Sequence, residues 1–309
     1  MNKPKVIVIC GPTASGKTSL AIELAKKING EIISGDSMQI YKDMNIGTAK
    51  PNKEEMQGIK HYLIDCISPE QRYSVADFKK DATCAIEEIL HKQKVPIIAG
   101  GTGLYIDSLV KGIEYNDIKI DLEYRKKLED ISEKEGLESL YNEAMKIDKE
   151  AMEKISHSDK KRIFRVLELY NATRKTKTQI EKESREKENP YDYIVFGIQM
   201  DREALYNRIN TRVDLMIERG LINEVQDLLK KYKSFPTAMQ GLGYKEVKEY
   251  LDGNLSKDDM IQKIKMETRR YAKRQMTWFR RDKDIIWLNS LGEETDIEKN
   301  IDIILGVIK

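Results

Sequence analysis

The chain has 309 residues, with 54 Lys and Arg against 52 Asp and Glu for a formal charge of +2. A length of this kind suits one large domain or two modest ones, and 40% hydrophobic residues beside 34% charged ones exclude a collagen, a disulfide-stapled mini-protein and wholesale disorder. No stretch approaches the roughly 20 apolar residues that cross a bilayer, and the apolar part of the N-terminal segment is too short for a signal peptide, so the expectation is a cytoplasmic protein with no membrane partner.

The run Val6-Ile7-Val8-Ile9-Cys10 is β-branched throughout, the pattern of a strand covered on both faces in a parallel sheet. From Lys17, the spacing of Leu20, Leu24, Ala25 and Ile28 predicts a helix that Gly30 would cap. Short strands are expected at 31–34 and 61–65, and a helix follows whose Ser74 and Asp77 have the spacing of a capping box. Its core stripe is Phe78, Ala82, Ala85, Ile86 and Ile89. A further buried strand, Val95 to Ala99, runs into Gly100-Gly101-Thr102-Gly103. Alternating strands and helices of this kind predict a doubly wound α/β sheet.

Near Gly112 the composition changes. Lys and Glu dominate to Asn189, and Leu122, Leu128, Leu137 and Leu140 fall at helical spacing, which predicts a helical insertion over 113–189. Its last stretch, Lys175 to Glu188, reads as a solvated helix or a mobile linker. A strand at Tyr193–Ile198, a helix opened by Asp201 and a late strand at Asp284–Leu288 return the chain to the sheet, so the core is built from 1–112 and 190–309. Cys10, Cys66 and Cys84 are isolated in sequence and predict reduced, mostly buried thiols and no zinc site; His61, His91 and His157 are scattered and read as structural or surface groups.

The chemistry is concentrated at Gly11-Pro12-Thr13-Ala14-Ser15-Gly16-Lys17-Thr18, which fits G-x-x-x-x-G-K-[ST] between a strand and a helix. Glycines let successive N–H groups turn toward one anion, the helix N-terminus adds partial positive charge and Lys17 a full one. Thr18 can hold a Mg²⁺ that bridges two phosphates. The loop therefore predicts a P-loop NTPase-like fold and a di- or triphosphate ligand. It does not say which. A nucleotide-hydrolysing enzyme or kinase would carry an acidic residue at a second strand end for the metal, whereas Val95–Ala99 ends in Gly-Gly-Thr. Asp36 lies just beyond the strand 31–34, at the sheet edge where ligands bind, and is placed to act as a base; it could equally cap the next turn. Arg269 to Arg281 carries six positive charges, no acid and three aromatics, a composition suited to RNA and also to an amphipathic helix that packs Tyr271, Met276 and Trp278 inward.

Six ordered blocks, GPTASGKT at 11–18, GDSMQIYKDMNIGTAKP at 35–51, YSVADFKKDA at 73–82, GGTGLY at 100–105, GLGYKE at 241–246 and KRQMTWFR at 273–280, resemble the bacterial tRNA dimethylallyltransferases, also called tRNA isopentenyltransferases. The resemblance implies transfer of a dimethylallyl group from dimethylallyl diphosphate to the exocyclic N6 amine of adenosine 37, in tRNAs that read codons beginning with U, with release of diphosphate and with Mg²⁺ present. It implies that Asp36 is the base, that Thr18, Lys17 and Arg212 stabilise the leaving diphosphate, and that the enzyme is a monomer. Arg208 lies one helical turn before Arg212 and could face the same site. The resemblance also assigns contacts with the tRNA anticodon stem-loop to Asp36, Ser37, Met38 and Gln39; to Thr102; to Arg125, Asp159, Lys160, Lys161, Arg162 and Ile163 in the insertion; to Gly241 and Tyr244; and to Lys273, Arg274, Gln275, Thr277, Trp278 and Arg280. An allylic diphosphate needs no oriented water, which makes chemical sense of the strand end without an acid.

Overall fold

A computed structural model describes residues 3–113, 121–289 and 296–309. In chain order the first part holds β1 (Lys5–Cys10), α1 (Lys17–Ile28), β2 (Gly30–Ser34), β3 (His61–Tyr62), α2 (Val75–His91), β4 (Val95–Gly100) and α3 (Gly103–Val110). Then come α4 (Leu122–Lys134), α5 (Leu137–Ile147), α6 (Lys149–Met152), α7 (Lys160–Thr173) and α8 (Lys177–Glu186). The last part holds β5 (Asp192–Gln199), α9 (Arg202–Glu218), α10 (Leu221–Lys231), α11 (Tyr244–Leu251), α12 (Lys257–Phe279), β6 (Ile286–Asn289) and α13 (Ile297–Ile308). The chain divides into two compact units, one of 1–110 with 190–309 and the other of 111–189.

In the larger unit all six strands are parallel, in the order β3-β2-β4-β1-β5-β6. Strand alternation sorts β1 between two cores. Val6, Val8 and Cys10 face the cluster built with α2 and α10, while Ile7 and Ile9 face the one built with α1 and α13 through Leu20, Leu24, Ile301 and Ile304. Both faces are covered, which is why the strand sequence shows no polar alternation. β1 lies at the centre, with β4 on one side and β5 on the other, so the C-terminal ends of β1, β2 and β4 open on one crevice at the point where the strand order reverses.

Local expectations are met at α2, where Ser74 and Asp77 make both bonds of the capping box and all five stripe residues are buried. Other details differ. Asn29, at φ 52°, ends α1 in the left-handed conformation, and Gly30 instead opens β2, where a β-carbon would lie 2.7 Å from Ile97. The strand expected at 61–65 stops at Tyr62 because Leu63 and Asp65 take positive φ. Of the three thiols only Cys10 is buried; Cys66 and Cys84 are exposed, so the expectation of mostly buried cysteines is corrected. Cys84 falls on the outer side of α2, away from the stripe of Phe78, Ala82, Ala85, Ile86 and Ile89.

In the smaller unit Leu128, Leu140, Tyr141, Ile163, Phe164 and Leu167 form a core of their own. Asp148 caps α6 through Ala151 N and also accepts from Thr178 N and Oγ1, at 2.9 and 2.7 Å. The charged stretch after Lys175 is a helix, α8, begun by a Thr176–Gln179 capping box, and not an open linker.

Candidate active site

β1 delivers the chain into the 11–18 loop. Gly11 has φ 148°, and a β-carbon there would lie 2.8 Å from the Ile198 carbonyl oxygen, so β5 admits only glycine. Gly16, at φ 92°, turns the loop into α1. Lys17 begins the helix and folds its Nζ back to the Pro12 carbonyl at 2.6 Å, inside the loop. Burial, reinforced by the nearby Arg212 guanidinium and partly offset by Asp36, pulls the Lys17 ammonium down to about 8. Two cations and a helix N-terminus converge here, an arrangement that gains most from a multiply charged anion.

The second wall comes from the ends of β2 and β4, which lie flush. Gly35 N donates to Ala99 O at 2.9 Å and Thr102 N to Gly35 O at 3.2 Å. A β-carbon on Gly100 would fall 2.3–2.5 Å from the Gly35 backbone, and one on Gly101 would fall 2.2 Å from Gln275 Nε2. The Gly-Gly-Thr sequence in place of an acid is therefore a packing requirement. Thr102 Oγ1 accepts from Ser37 N at 3.1 Å and so holds the loop that carries Asp36.

Asp36 caps its turn and also faces the cleft. Its Oδ1 accepts from Met38 N at 2.8 Å and from Gln39 N at 3.4 Å, capping the turn, while the carboxylate also lines the cleft. Burial raises its pKa above the ordinary carboxylate value, against the opposing pull of the Met38 bond and Lys17.

These groups meet in one cavity of about 770 Å³, lined among others by residues 13–19, Asp36, Gln39, Gly101, Arg212 and Gln275. Arg212 reaches it from α9, whose Leu205, Ile209 and Val213 are buried. Burial and the neighbouring Arg208 charge both lower the Arg212 pKa, consistent with two guanidiniums crowded on one helix edge. Gln275 is 5% exposed and spends its amide on two backbone groups: Oε1 accepts from Thr13 N at 2.8 Å, and Nε2 donates to Gly101 O at 2.9 Å. It ties α12 to both loops of the cleft. Tyr271, one turn earlier on α12, also lines the cavity, and burial together with the Asp36 charge pushes its phenol up to about 12. The sequence leaves Tyr271 between RNA contact and inward packing and does not point to the cavity near Asp36; the i, i+4 spacing to Gln275 is the available signal.

The remaining candidates divide by exposure. Lys273, Arg274, Thr277 and Arg280 form the exposed face of α12, opposite buried Ala272, Gln275 and Phe279. Trp278 is half-buried against Gly103, with Nε1 donating to Asp107 at 3.1 Å and the Arg281 guanidinium 4.2 Å above its ring. Tyr244 is buried, and Gly241 lies against Tyr244 and Met38. In the smaller unit Lys160, Lys161 and Arg162 are exposed on the first turn of α7, which Asp159 caps through Arg162 N. Ile163 is fully buried, and Arg125 pairs with the buried Glu168 at 3.3 Å. What Ile163 and Tyr244 offer any partner is backbone or surface shape, because their side chains are enclosed.

The family model described as IPP transferase matches residues 39–282. A tRNA dimethylallyltransferase of Acetivibrio thermocellus is 53% identical over 96% of this chain and 94% of its own length. Among solved structures, the tRNA delta(2)-isopentenylpyrophosphate transferase of Staphylococcus epidermidis is 45% identical, covers 99% of both chains and superposes with a TM-score of 0.72. A eukaryotic dimethylallyltransferase acting on tRNA, 32% identical, covers 99% of this chain and 79% of its own with a TM-score of 0.81. The chain belongs to the IPP transferase family, and its full-length relatives are tRNA dimethylallyltransferases.

Proposed function

We propose that this protein transfers the dimethylallyl group of dimethylallyl diphosphate to N6 of adenosine 37 in tRNAs reading codons that begin with U, releasing diphosphate, as a monomer in the cytoplasm. The observation that carries the reading is the single cavity in which the 11–18 loop, Arg212 and Asp36 stand together. A phosphate cradle facing a half-buried carboxylate, with no acid at the β4 end, suits displacement of a diphosphate better than its hydrolysis. No described helix is long and apolar enough to cross a membrane.

In this mechanism the N–H groups of the loop, the α1 N-terminus, Lys17 and Arg212 hold the diphosphate and take up the negative charge that develops on it as the allylic C–O bond breaks. An exocyclic amine is a weak nucleophile because its lone pair is delocalised. Asp36 accepts a hydrogen bond from N6–H and takes the proton as the new C–N bond forms. A loop base is extruded into such a pocket far more cheaply than a paired one. Thr18, exposed at the first turn of α1, has the hydroxyl that would hold Mg²⁺. A single hard hydroxyl oxygen at the phosphate loop suits a small hard cation whose other ligands would be phosphate oxygens and water. When bound, the ion would add positive charge to the leaving diphosphate.

The exposed basic face of α12 in the larger unit is our candidate surface for the anticodon stem-loop, and Arg125 with residues 159–163 in the smaller unit is a separate candidate. Replacing both Arg274 and Arg280 by alanine should weaken tRNA binding and reduce the slope of log affinity against log salt by about 1–2, since each neutralised phosphate contributes roughly one counterion. Filter binding at several salt concentrations reads this directly, and an unchanged slope returns the face to solvent. The function itself is tested with labelled dimethylallyl diphosphate, Mg²⁺ and unmodified tRNA. Label in the RNA at the purine beside the anticodon is expected; ATP hydrolysis with unlabelled RNA would instead make the protein a nucleotide hydrolase.

A further inference from the structure

The carboxylate of Glu224, on α10, collects the backbone of a loop it does not belong to. Its Oε2 accepts from Asn45 N at 2.9 Å and Ile46 N at 2.8 Å, and its Oε1 accepts from Gly47 N at 3.2 Å and from the Tyr244 hydroxyl at 2.7 Å. Three successive N–H groups turned toward one anion form a nest, here filled by the protein's own side chain. Tyr244 closes it from below: a β-carbon on Gly47 would lie 2.4 Å from the tyrosine ring, so the loop rests directly on that ring.

The loop so held is one wall of the cavity, through Asn45, Ile46, Thr48, Ala49 and Lys50; Glu224 itself is not in the lining. From this wall hydrogen bonds lead back to the carboxylate proposed as the base. Gln39 Nε2 donates to Thr48 O at 3.2 Å, Gln39 Oε1 accepts from Ser34 Oγ at 2.9 Å, and Gln39 N donates to Asp36 Oδ1 at 3.4 Å. Asp36 is thus supported on one side by Thr102 through Ser37 and on the other by Glu224 through the 45–49 segment and Gln39.

We propose that Glu224 is a positioning residue for the transfer reaction, setting the 45–50 wall against the bound allylic diphosphate and, through Gln39, the direction of the Asp36 carboxylate. The proposal rests on the function given above. Only an anion suits this position. Glutamine keeps one acceptor oxygen for four donors and turns an NH₂ toward N–H or O–H groups, so at least one loop amide loses its partner. A wall displaced by about 1 Å is enough to lower the rate by ~10²-fold.

The test is Glu224→Gln, with Tyr244→Phe as a milder second variant that removes one of the four bonds and leaves the loop amides held. Steady-state kinetics should show kcat/KM for dimethylallyl diphosphate reduced about 10²-fold in Glu224→Gln and several-fold in Tyr244→Phe, with tRNA affinity within about twofold of wild type, since the exposed basic face of α12 is untouched. Amide hydrogen exchange should quicken at residues 45–50 while the β1 and β4 amides stay protected. Unchanged donor kinetics in a folded Glu224→Gln protein overturn the proposal, as does a loss carried by tRNA affinity instead. If Glu224→Gln does not fold, Tyr244→Phe decides, and wild-type donor kinetics in it are equally fatal. Should the wild-type protein itself transfer no prenyl group, the functional reading fails, while exchange at 45–50 still reports whether Glu224 holds the loop.

Discussion

Asp36→Asn is expected to lower kcat by about 10²–10⁴-fold, the range of a positioned general base, while tRNA affinity stays close to wild type. The asparagine oxygen can still accept from Met38 N and Gln39 N, so the turn survives and only the proton acceptor is lost. Single-turnover transfer measured at saturating donor and tRNA separates the two effects, and near-normal turnover removes the base assignment. The acidic side of the pH profile gives a second check. Because burial holds the Asp36 pKa above 3.8, the carboxylate is the reactive form only above that raised value. Activity should therefore fall on acidification at a higher pH than an ordinary carboxylate would produce, and Asp36→Asn should abolish that limb.

Lys17→Met should reduce kcat/KM for the donor by about 10²–10³-fold, the loss typical when one preorganised group facing a developing charge is removed. Wild type carries an alkaline signature of the same residue. With its pKa pulled down to about 8, the empty protein loses the Lys17 charge as pH rises through that value. A bound diphosphate favours the ammonium form, so binding takes up a proton above pH 8 and donor affinity declines there. Calorimetry in two buffers of different ionisation enthalpy measures that uptake; its absence at pH 8.5–9 as well as a flat donor KM would show that Lys17 does not face the phosphates.

Much of this site is local in sequence. The 11–18 loop declares itself because strand, glycine turn and helix follow one another within a few residues, and Asp36 because it comes directly after a strand of a doubly wound sheet. The features that complete the site are not local. Gln275 finds Thr13 across 262 positions of the chain, and Glu224 finds Gly47 across 177. No periodicity contains those pairings, since a buried amide on an amphipathic helix looks like any other polar residue until its partners are placed. The same holds for Tyr244, whose aromatic ring in a GLGYKE block gives no hint that it lies beneath the loop at Gly47. Shorter-range misreadings have local causes: Asn29 takes the left-handed position that glycine usually takes, and positive φ at Leu63 and Asp65 cuts β3 to two residues.

The flush packing at the end of β4 has an evolutionary corollary. A carboxylate at Gly100 would strike the Gly35 backbone, one at Gly101 would displace the Gln275 amide, and one at Gly103 would enter the Trp278 indole. No single replacement at these three glycines can therefore install a metal-holding acid there without displacing the Gly35 loop or a side chain of α12. Gaining an acid at this strand end would take at least two coordinated changes, the glycine and the loop or side chain it meets.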